Sequence, residues 1–395
     1  MIIIKTIKNY LLFFLLIIFK YHLRFIYFFI KFFSLRKKRI LLLSRQKNTM
    51  PLNYLLLTKE LDKKNIKYIY FCKKVPSSIN VLIRNENKKN KIFKQFISII
   101  NYYFSIYRQM CYCATSKIII VDGYNVTVSL LYHKKGTKII QLWHAHGAIK
   151  KFGYQTIGKT NGLNPVVAKI LCMHKNYDYV ISGSKAMNVF FAEAFKIDIN
   201  KIIDIGTPIV DYMKKKNINI ENKLYKKYPQ LKEKKNIIYA PTFRNDGSNN
   251  INKIIEKFDF NNYNLIPILH PKYNNIIKND KVVNIDKDLF NTYDIIKIAD
   301  YVITDYSALI IDSAIMNKKV LLYVYDYNKY KKENGLNLNL FAFFKNNISE
   351  DFSNLMDIIK NNKYDDDIYN KFKIKYINNY SNCTKSLVNL IEENL

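Results

Sequence analysis

The chain has no clean run of apolar residues long enough to read as a membrane span. The uninterrupted stretch near the N-terminus, Leu11 to Phe19, is nine residues, against the roughly 20 that a bilayer core requires. No small-residue cleavage site follows it, which argues against a secretory leader; Arg36-Lys37-Lys38-Arg39 follows instead. Cysteine is scarce and unpatterned. Of Cys72, Cys111, Cys113, Cys172 and Cys383, only Cys111 and Cys113 are close. They are too close for a Cys-x-x-Cys zinc knuckle and no second pair follows, so buried reduced thiols are expected rather than a zinc or disulfide framework. Acidic residues are few: 31 Asp and Glu stand against 64 Lys and Arg, a formal charge of +33. Such an excess favours anionic partners, whether a phospholipid surface, nucleic acid or a polyphosphate substrate. Heavy use of Lys, Asn, Ile and Tyr together also fits translation from an AT-rich genome. No recognition helix or aromatic single-strand platform is evident, so nucleic acid is not the expected partner.

From Tyr10 to Phe33 the sequence is rich in Leu, Ile, Phe and Tyr, but Lys20, His22, Arg24 and Lys31 interrupt it. Cations within an aromatic segment, backed by a basic cluster, suit an interfacial helix on an anionic leaflet. An anchor with its basic flank in the cytoplasm and a helix packed on the folded body both stay open. Residues 1–38 are thus expected to associate with a membrane.

At 395 residues the chain exceeds a single core, which stops growing near ~250–300 residues. Its 49% hydrophobic content excludes a disordered chain. Residues 39–44 (RILLLS), a helical spacing over 53–64 and the alternating 66–71 read as βαβ. Residues 117–122, 138–143, 178–182 and 202–206 continue with the near-continuous apolar runs of parallel strands. A polar, Lys- and Asn-rich stretch over 214–235 interrupts the series. The alternation restarts with strands at 236–240, 265–269, 282–285, 301–304 and 320–323, and with helices at 293–299 and 309–316. The expected fold is α/β: two Rossmann-type doubly wound halves, 39–213 and 214–395, facing a cleft, with ligands beyond the carboxyl ends of the strands.

Polar concentrations sit just after these strands. Gln141-Leu-Trp-His-Ala-His-Gly147, followed by Lys150-Lys151, offers a base able to take a proton from a hydroxyl near neutral pH. A metal reading lacks a nearby third ligand. Ile238-Tyr-Ala-Pro-Thr-Phe-Arg-Asn-Asp246 presents Thr242 and Arg244 after a turn fixed by Pro241, and Arg suits bidentate phosphate recognition. Leu269-His270-Pro271 places a His at a strand end. Ile303-Thr-Asp-Tyr-Ser307, with Asp312 five residues on, offers Ser307 as a helix cap beside backbone donors. Taken singly, a loop hydrogen bond, a turn or a cap explains each of these as well.

Their order is more specific. Trp-His-x-x-Gly, Ala-Pro-Thr-x-Arg, His-Pro and Thr-Asp-Tyr-Ser with a later Asp, together with Gly206-Thr-Pro208 and Tyr323-Val-Tyr-Asp-Tyr327 with Tyr330 beyond, resemble the CDP-glycerol glycerophosphotransferase family from about Lys117 to Gly335. The resemblance implies a GT-B-like pair of halves. It implies transfer of glycerol phosphate from CDP-glycerol to a hydroxyl of a lipid-linked or polymeric acceptor, with release of CMP, at the cytoplasmic face of a bacterial membrane. His144 would be the base and His270 would steady the donor diphosphate. Pro241, Thr242 and Arg244 would line the donor site, and Ser307 and Asp312 would grip the donor's glycerol or phosphate end. His146, Gly147, Ala148, Asp211, Leu269, Asp305 and Ala308 complete the expected substrate-binding set. None of the four motifs contains an Asp-x-Asp pair, so no metal or other cofactor is expected. The family's Trp-His-Gly-Thr-Pro is here Trp-His-Ala-His-Gly, which makes His146 extra. Its Gly-x-Pro-Arg step lacks Arg, reading Ile209-Val210-Asp211, and its Ser-Ser pair is Ser307-Ala308. The donor polyol therefore stays open between glycerol, ribitol and others. Rival readings are a nucleotide-sugar glycosyltransferase on the same fold and a basic nucleic-acid-binding protein.

Overall fold

The apolar runs become parallel strands. The computed structural model describes residues 2–76, 92–159, 162–244, 246–270, 277–378 and 380–395. Two units emerge: Met1–Ala145, Lys151–Ile209 and Tyr380–Leu395 form one, His146–Lys150 and Val210–Asn379 the other.

In the first unit, β1 (Lys37–Ser44), β2 (Tyr68–Cys72), β3 (Ser116–Val121), β4 (Lys138–Gln141), β5 (Tyr179–Ile181) and β6 (Ile202–Ile203) lie in the order β2-β1-β3-β4-β5-β6, and each adjacent pair is parallel. Successive residues of β1 and β3 are buried on both faces, which is why these strands read as unbroken apolar runs. On one face Ile40, Leu42, Ile118 and Ile120 pack with Tyr54, Leu57 and Leu61 of the helix Leu52–Lys63. The same cluster takes Leu387, Val388 and Ile391 of the C-terminal helix Cys383–Asn394. Burying each such side chain is worth about 1.5–3 kcal/mol, enough to return that helix to the first unit rather than leave it with 214–379. Gly206 helps it dock: at φ +70° a Cβ there would lie 2.7 Å from Cys383 Sγ. The division falls after Ile209, where a boundary after residue 213 was expected.

Residues Ile2–Phe33 form one 32-residue helix. Within it Leu12–Phe33 is long and apolar enough to cross a membrane by length and composition. The cations do not break the helix; they dock it. His22 Nε2 lies 2.8 Å from the hydroxyls of both Tyr103 and Tyr107. Arg24 Nε donates to Leu130 O at 3.1 Å with its guanidinium over the Tyr132 ring, and Lys31 Nζ donates to Tyr132 O at 3.1 Å. Leu23 and Tyr27 are fully buried, while Phe14, Ile18, Tyr21, Phe25, Phe28, Phe32 and Phe33 are exposed. The helix thus packs Leu23, Tyr27 and the bonded ends of His22, Arg24 and Lys31 against protein and turns most of its Phe side chains outward.

In the second unit, β7 (Lys235–Tyr239), β8 (Tyr263–Pro267), β9 (Tyr301–Thr304), β10 (Lys319–Tyr323) and β11 (Ile348–Ser349) lie in the order β11-β10-β9-β7-β8, again parallel. The expected strand over 282–285 is absent; Val282 makes a single bridge to Leu265. The polar 214–235 stretch is not a bare linker. It holds the helix Ile218–Lys227, whose Leu224 enters a core with Leu231, Ile238, Ile266 and Val302. One apolar residue per face is too sparse a signal for periodicity to catch. Both sheets share one topology: the second strand lies on one side of the first and the rest on the other. The order reverses between β1 and β3, and between β7 and β9. Ligands of open α/β sheets bind beyond the carboxyl ends of the strands at such reversals.

Candidate functional site

In the first unit, the reversal point carries His144. Ser44 to Gln46 leave β1, Asp122 and Gly123 leave β3, and Trp143 and His144 leave β4. His144 Nδ1 lies 3.2 Å from Asp122 O and 3.3 Å from Gln46 Nε2. A carbonyl can only accept, so the contact with Asp122 O calls for the proton on Nδ1 and leaves the lone pair on Nε2, the state of a base; the Gln46 amide meets this arrangement when it turns its oxygen rather than its nitrogen to the ring. Trp143 turns the chain at φ +56°, a costly conformation for a bulky residue. An aromatic box over-determines it: Phe152 stacks at 4.9 Å and Phe195 meets it edge-on at 5.2 Å. His144 itself is exposed. Below it, Asp122 is buried and accepts from Ser44 Oγ at 2.6 Å. Burial pushes its carboxyl up to about 6, against bonds from Ser44 and Arg45 that favour the charged form.

The next residues of the same loop belong to the second unit. His146 Nδ1 lies 2.6 Å from Asp312 Oδ1, both side chains buried. Gly147 lies against Ile311 so closely that a Cβ would stand 2.4 Å from its Cγ1. Asn337 N donates to Ile149 O at 2.9 Å, and its amide donates to Ala148 O and Lys150 O at 3.0 and 3.2 Å. Lys150 bridges antiparallel to Leu336. Burial holds the Lys150 ammonium below its ordinary pKa, Asp305 opposing and Arg244 reinforcing the shift.

At the second unit's reversal point, Arg244 is clamped rather than open. Its Nε and Nη2 donate to Asp326 Oδ2 and Oδ1 at 2.6 and 2.8 Å, and Nη1 donates to Asp305 Oδ2 and Thr242 O, both at 2.9 Å. The Tyr325 ring lies 4.6 Å from the guanidinium carbon. Asp305 also accepts from Thr242 N and Tyr306 N. Arg244 and Asp305 therefore build the site's frame. Thr242 Oγ1 is buried, and no hydrogen-bond partner for it occurs among the described residues. Pro241 is buried before it. Ser307 Oγ accepts from Leu309 N at 3.2 Å, while Ala308 occupies the cap position of the helix Leu309–Ile315. His270 is exposed with its ring 4.8 Å from Phe243; Leu269 is buried and its carbonyl takes Lys287 Nζ at 2.8 Å. Pro271 lies outside the described residues. Asp211 lies in the first turn of the helix Pro208–Lys214.

The structure thus gathers His144 with Gln46 and Asp122 in one unit. In the other it gathers His146, Gly147, Asp312, Thr242, Arg244, Asp305 and Ser307. Gln46, Asp122 and Asp326 were not singled out from sequence; the strand-end position of the first two was the available signal. An Asp-x-Asp pair does occur between the motifs, at Asp286 and Asp288. There Asp286 binds Lys227 at 3.2 Å and the amide of Asp288 at 3.0 Å. Among the described residues no group of three or more His, Cys, Asp or Glu is placed to hold a metal. His174 is a core residue and His133 is half-buried; burial lowers their pKa values to about 3 and about 4, which keeps both neutral.

Residues 25–392 match the family model described as CDP-glycerol:poly(glycerophosphate) glycerophosphotransferase. The teichoic acid ribitol-phosphate primase of Bacillus spizizenii is 31% identical over 301 residues, covering 73% of this chain and 77% of that protein. The teichoic acid glycerol-phosphate primase of Bacillus subtilis is 32% identical over 292 residues, covering 70% and 74%. Among solved structures, the wall teichoic acid polymerase TagF superposes with a TM-score of 0.70 at 18% identity, covering 95% of this chain and 93% of that one. A UDP-GlcNAc 2-epimerase from Neisseria meningitidis reaches 0.53 at 12% identity, covering 90% and 100%. These two likenesses speak to the fold.

Proposed function

The chain belongs to the CDP-glycerol:poly(glycerophosphate) glycerophosphotransferase family, and on that premise we propose that it uses His144 as the base in moving a polyol-phosphate unit from a CDP-linked donor to an acceptor hydroxyl. Polyol-phosphate transfer in teichoic acid synthesis is its reaction class. The acceptor oxygen attacks the polyol-bearing phosphorus of the donor. The bond from that phosphorus to the bridging oxygen breaks, CMP leaves with the electron pair, and the acceptor proton passes to His144 Nε2. The observation that supports the assignment of the base is the contact of His144 Nδ1 with Asp122 O, which, with the Gln46 amide oxygen turned to the ring, leaves Nε2 as the acceptor. His270, Ser307 and the unsatisfied hydroxyl of Thr242 supply donor contacts in this reading, and no resident cofactor takes part. Positioning and charge stabilisation dominate phosphoryl transfer.

The acceptor in this reading is lipid-linked or polymeric, worked on at the cytoplasmic face of the membrane. The outward aromatic face of Ile2–Phe33, with Arg36, Lys37, Lys38 and Arg39 beyond it, supports this, since apolar side chains beside cations suit an anionic leaflet. Purified protein incubated with membranes and CDP-glycerol, CDP-ribitol or UDP-GlcNAc in parallel, with products read by mass spectrometry, tests the whole. Polyol phosphate on the acceptor and free CMP are expected; sugar transfer alone would favour a nucleotide-sugar enzyme.

A further inference from the structure

We propose that Lys150 is the cation that receives the donor's diphosphate in the second unit. This rests on the reading that the chain takes a CDP-linked donor. A diphosphate needs positive charge, and the guanidinium at this unit's reversal point is already spent: Arg244 donates to Asp326, Asp305 and the Thr242 carbonyl. Taken alone, that frame sets two carboxylates against one guanidinium, so it repels an anion rather than holds one. Lys150 lies close enough to Asp305 and Arg244 for its charge to feel both. Its own bonds are those of its backbone: the carbonyl accepts from the Asn337 amide at 3.2 Å, and the residue bridges to Leu336. The ammonium has no hydrogen-bond or ion-pair partner among the described residues, and the side chain is half-buried rather than sealed.

Keeping an ammonium there works against the fold. Burial lowers its pKa, Arg244 adds to the shift, and the opposing pull of Asp305 does not offset them. Asp305 has its oxygens engaged by Arg244, Thr242 N and Tyr306 N, so it has little left to offer Lys150. A cation that folding disfavours and that no carboxylate takes up reads as a binding group rather than a structural one. Its placement does not depend on its own side chain. Gly147 seats flush on Ile311, Asn337 binds the backbone of Ala148, Ile149 and Lys150, and Lys150 pairs with Leu336. As the bond from phosphorus to the bridging oxygen breaks, negative charge gathers on the departing CMP. An ammonium already stripped of much of its water neutralises that charge more strongly than one in bulk solvent.

The test uses the full chain, with calorimetry of CDP, UDP and inorganic pyrophosphate and a thermal melt of each protein. Lys150→Met keeps the length of the stem and removes the charge. Its affinity for CDP should fall about 10- to 100-fold, the loss of one charged hydrogen bond. Its melting temperature should hold or rise, because the fold sheds a charge that burial penalises. With CDP-glycerol as donor, kcat/KM should fall at least as far as the affinity. Wild-type affinity for CDP in Lys150→Met would overturn the proposal. So would a lowered melting temperature with affinity lost only in step with it, since Lys150 would then be a counter-ion of the Asp305 frame. The donor reading fails separately. A wild type that binds UDP or pyrophosphate but not CDP refutes that reading, and the Lys150→Met comparison is then made with the ligand that binds. A wild type that binds none of the three overturns both.

Discussion

Arg244 and Asp326 meet in a two-point ion pair, Nε to Oδ2 at 2.6 Å and Nη2 to Oδ1 at 2.8 Å, with the third guanidinium nitrogen 2.9 Å from Asp305. Asp305 follows β9 and Asp326 follows β10, so one side chain from the loop after β7 ties three strand ends together. Tyr306 adds its hydroxyl to Asp326 Oδ1 at 3.0 Å, and together these carboxylates keep the guanidinium firmly charged despite its burial. A fork of this geometry is something Arg makes and Lys does not. The pattern Ala-Pro-Thr-x-Arg is therefore explained by architecture before any ligand is considered.

Arg244→Ala should accordingly act on stability first. Removing one member of a buried pair leaves carboxylates without compensation and costs about 3–5 kcal/mol. Arg244→Lys should recover little of it. Urea unfolding, together with calorimetry of CDP-glycerol on the folded fraction, checks this. A variant that unfolds at the wild-type urea concentration yet binds donor tenfold more weakly would return Arg244 to the ligand.

His144→Ala should remove most turnover, about 10²–10⁴-fold for a general base, with CDP-glycerol affinity retained because the base acts on the acceptor. The comparison with His146→Asn is the informative one. If His146→Asn is the dead variant and His144→Ala remains active, the base has moved two residues along the loop.

Much of this was legible in the sequence, and the reasons are local. Residues 40–43 and 118–121 are apolar on both faces because both faces are buried, so parallel strands announce themselves. The motifs sit at strand ends because that is where such sheets bind ligands. What stayed hidden depends on distance along the chain. His146 and Asp312 are 166 residues apart, and nothing near either marks the other. The direction of Lys31, Arg24 and His22 was also illegible: cations in an aromatic run look the same whether they meet lipid headgroups or tyrosine hydroxyls. The return of Leu387, Val388 and Ile391 to the first core depends on which sheet has an uncovered face, and no periodicity encodes that.

The N-terminal helix gives a prediction that differs from simple truncation. Deleting residues through Phe33 would strip Leu23 and Tyr27 from the first unit, each fully buried, and lose the docking bonds of His22, Arg24 and Lys31; such a protein should be unstable. Replacing Phe25, Phe28 and Phe32 by Ser changes only exposed rings. At about 1.5–3 kcal/mol per ring buried in lipid, the triple variant should leave anionic vesicles in a flotation assay while keeping its circular dichroism. Undiminished vesicle binding would show that this face is not the membrane contact.

Asp122 supplies the pH dependence. Its carboxyl titrates at about 6 in the folded chain, against 3.8 for an ordinary Asp, chiefly because burial penalises the charge. Between those values the folded state holds a proton that the unfolded state has released. Stability from this group is therefore complete below about pH 4 and falls as pH rises through about 6. A difference near two pKa units corresponds to about 3 kcal/mol at 1.36 kcal/mol per unit. In Asp122→Asn the side chain stays neutral throughout, and its oxygen can still accept from Ser44 Oγ, so the comparison isolates ionisation from the lost bond. Unfolding free energies of the two proteins, measured from pH 4 to 7, should draw apart. The wild type should lose about 3 kcal/mol relative to the variant across that range, most of it by neutral pH. Parallel curves would mean that the Asp122 carboxyl ionises at the same pH folded and unfolded, and that the Arg45 and Ser44 bonds offset the burial.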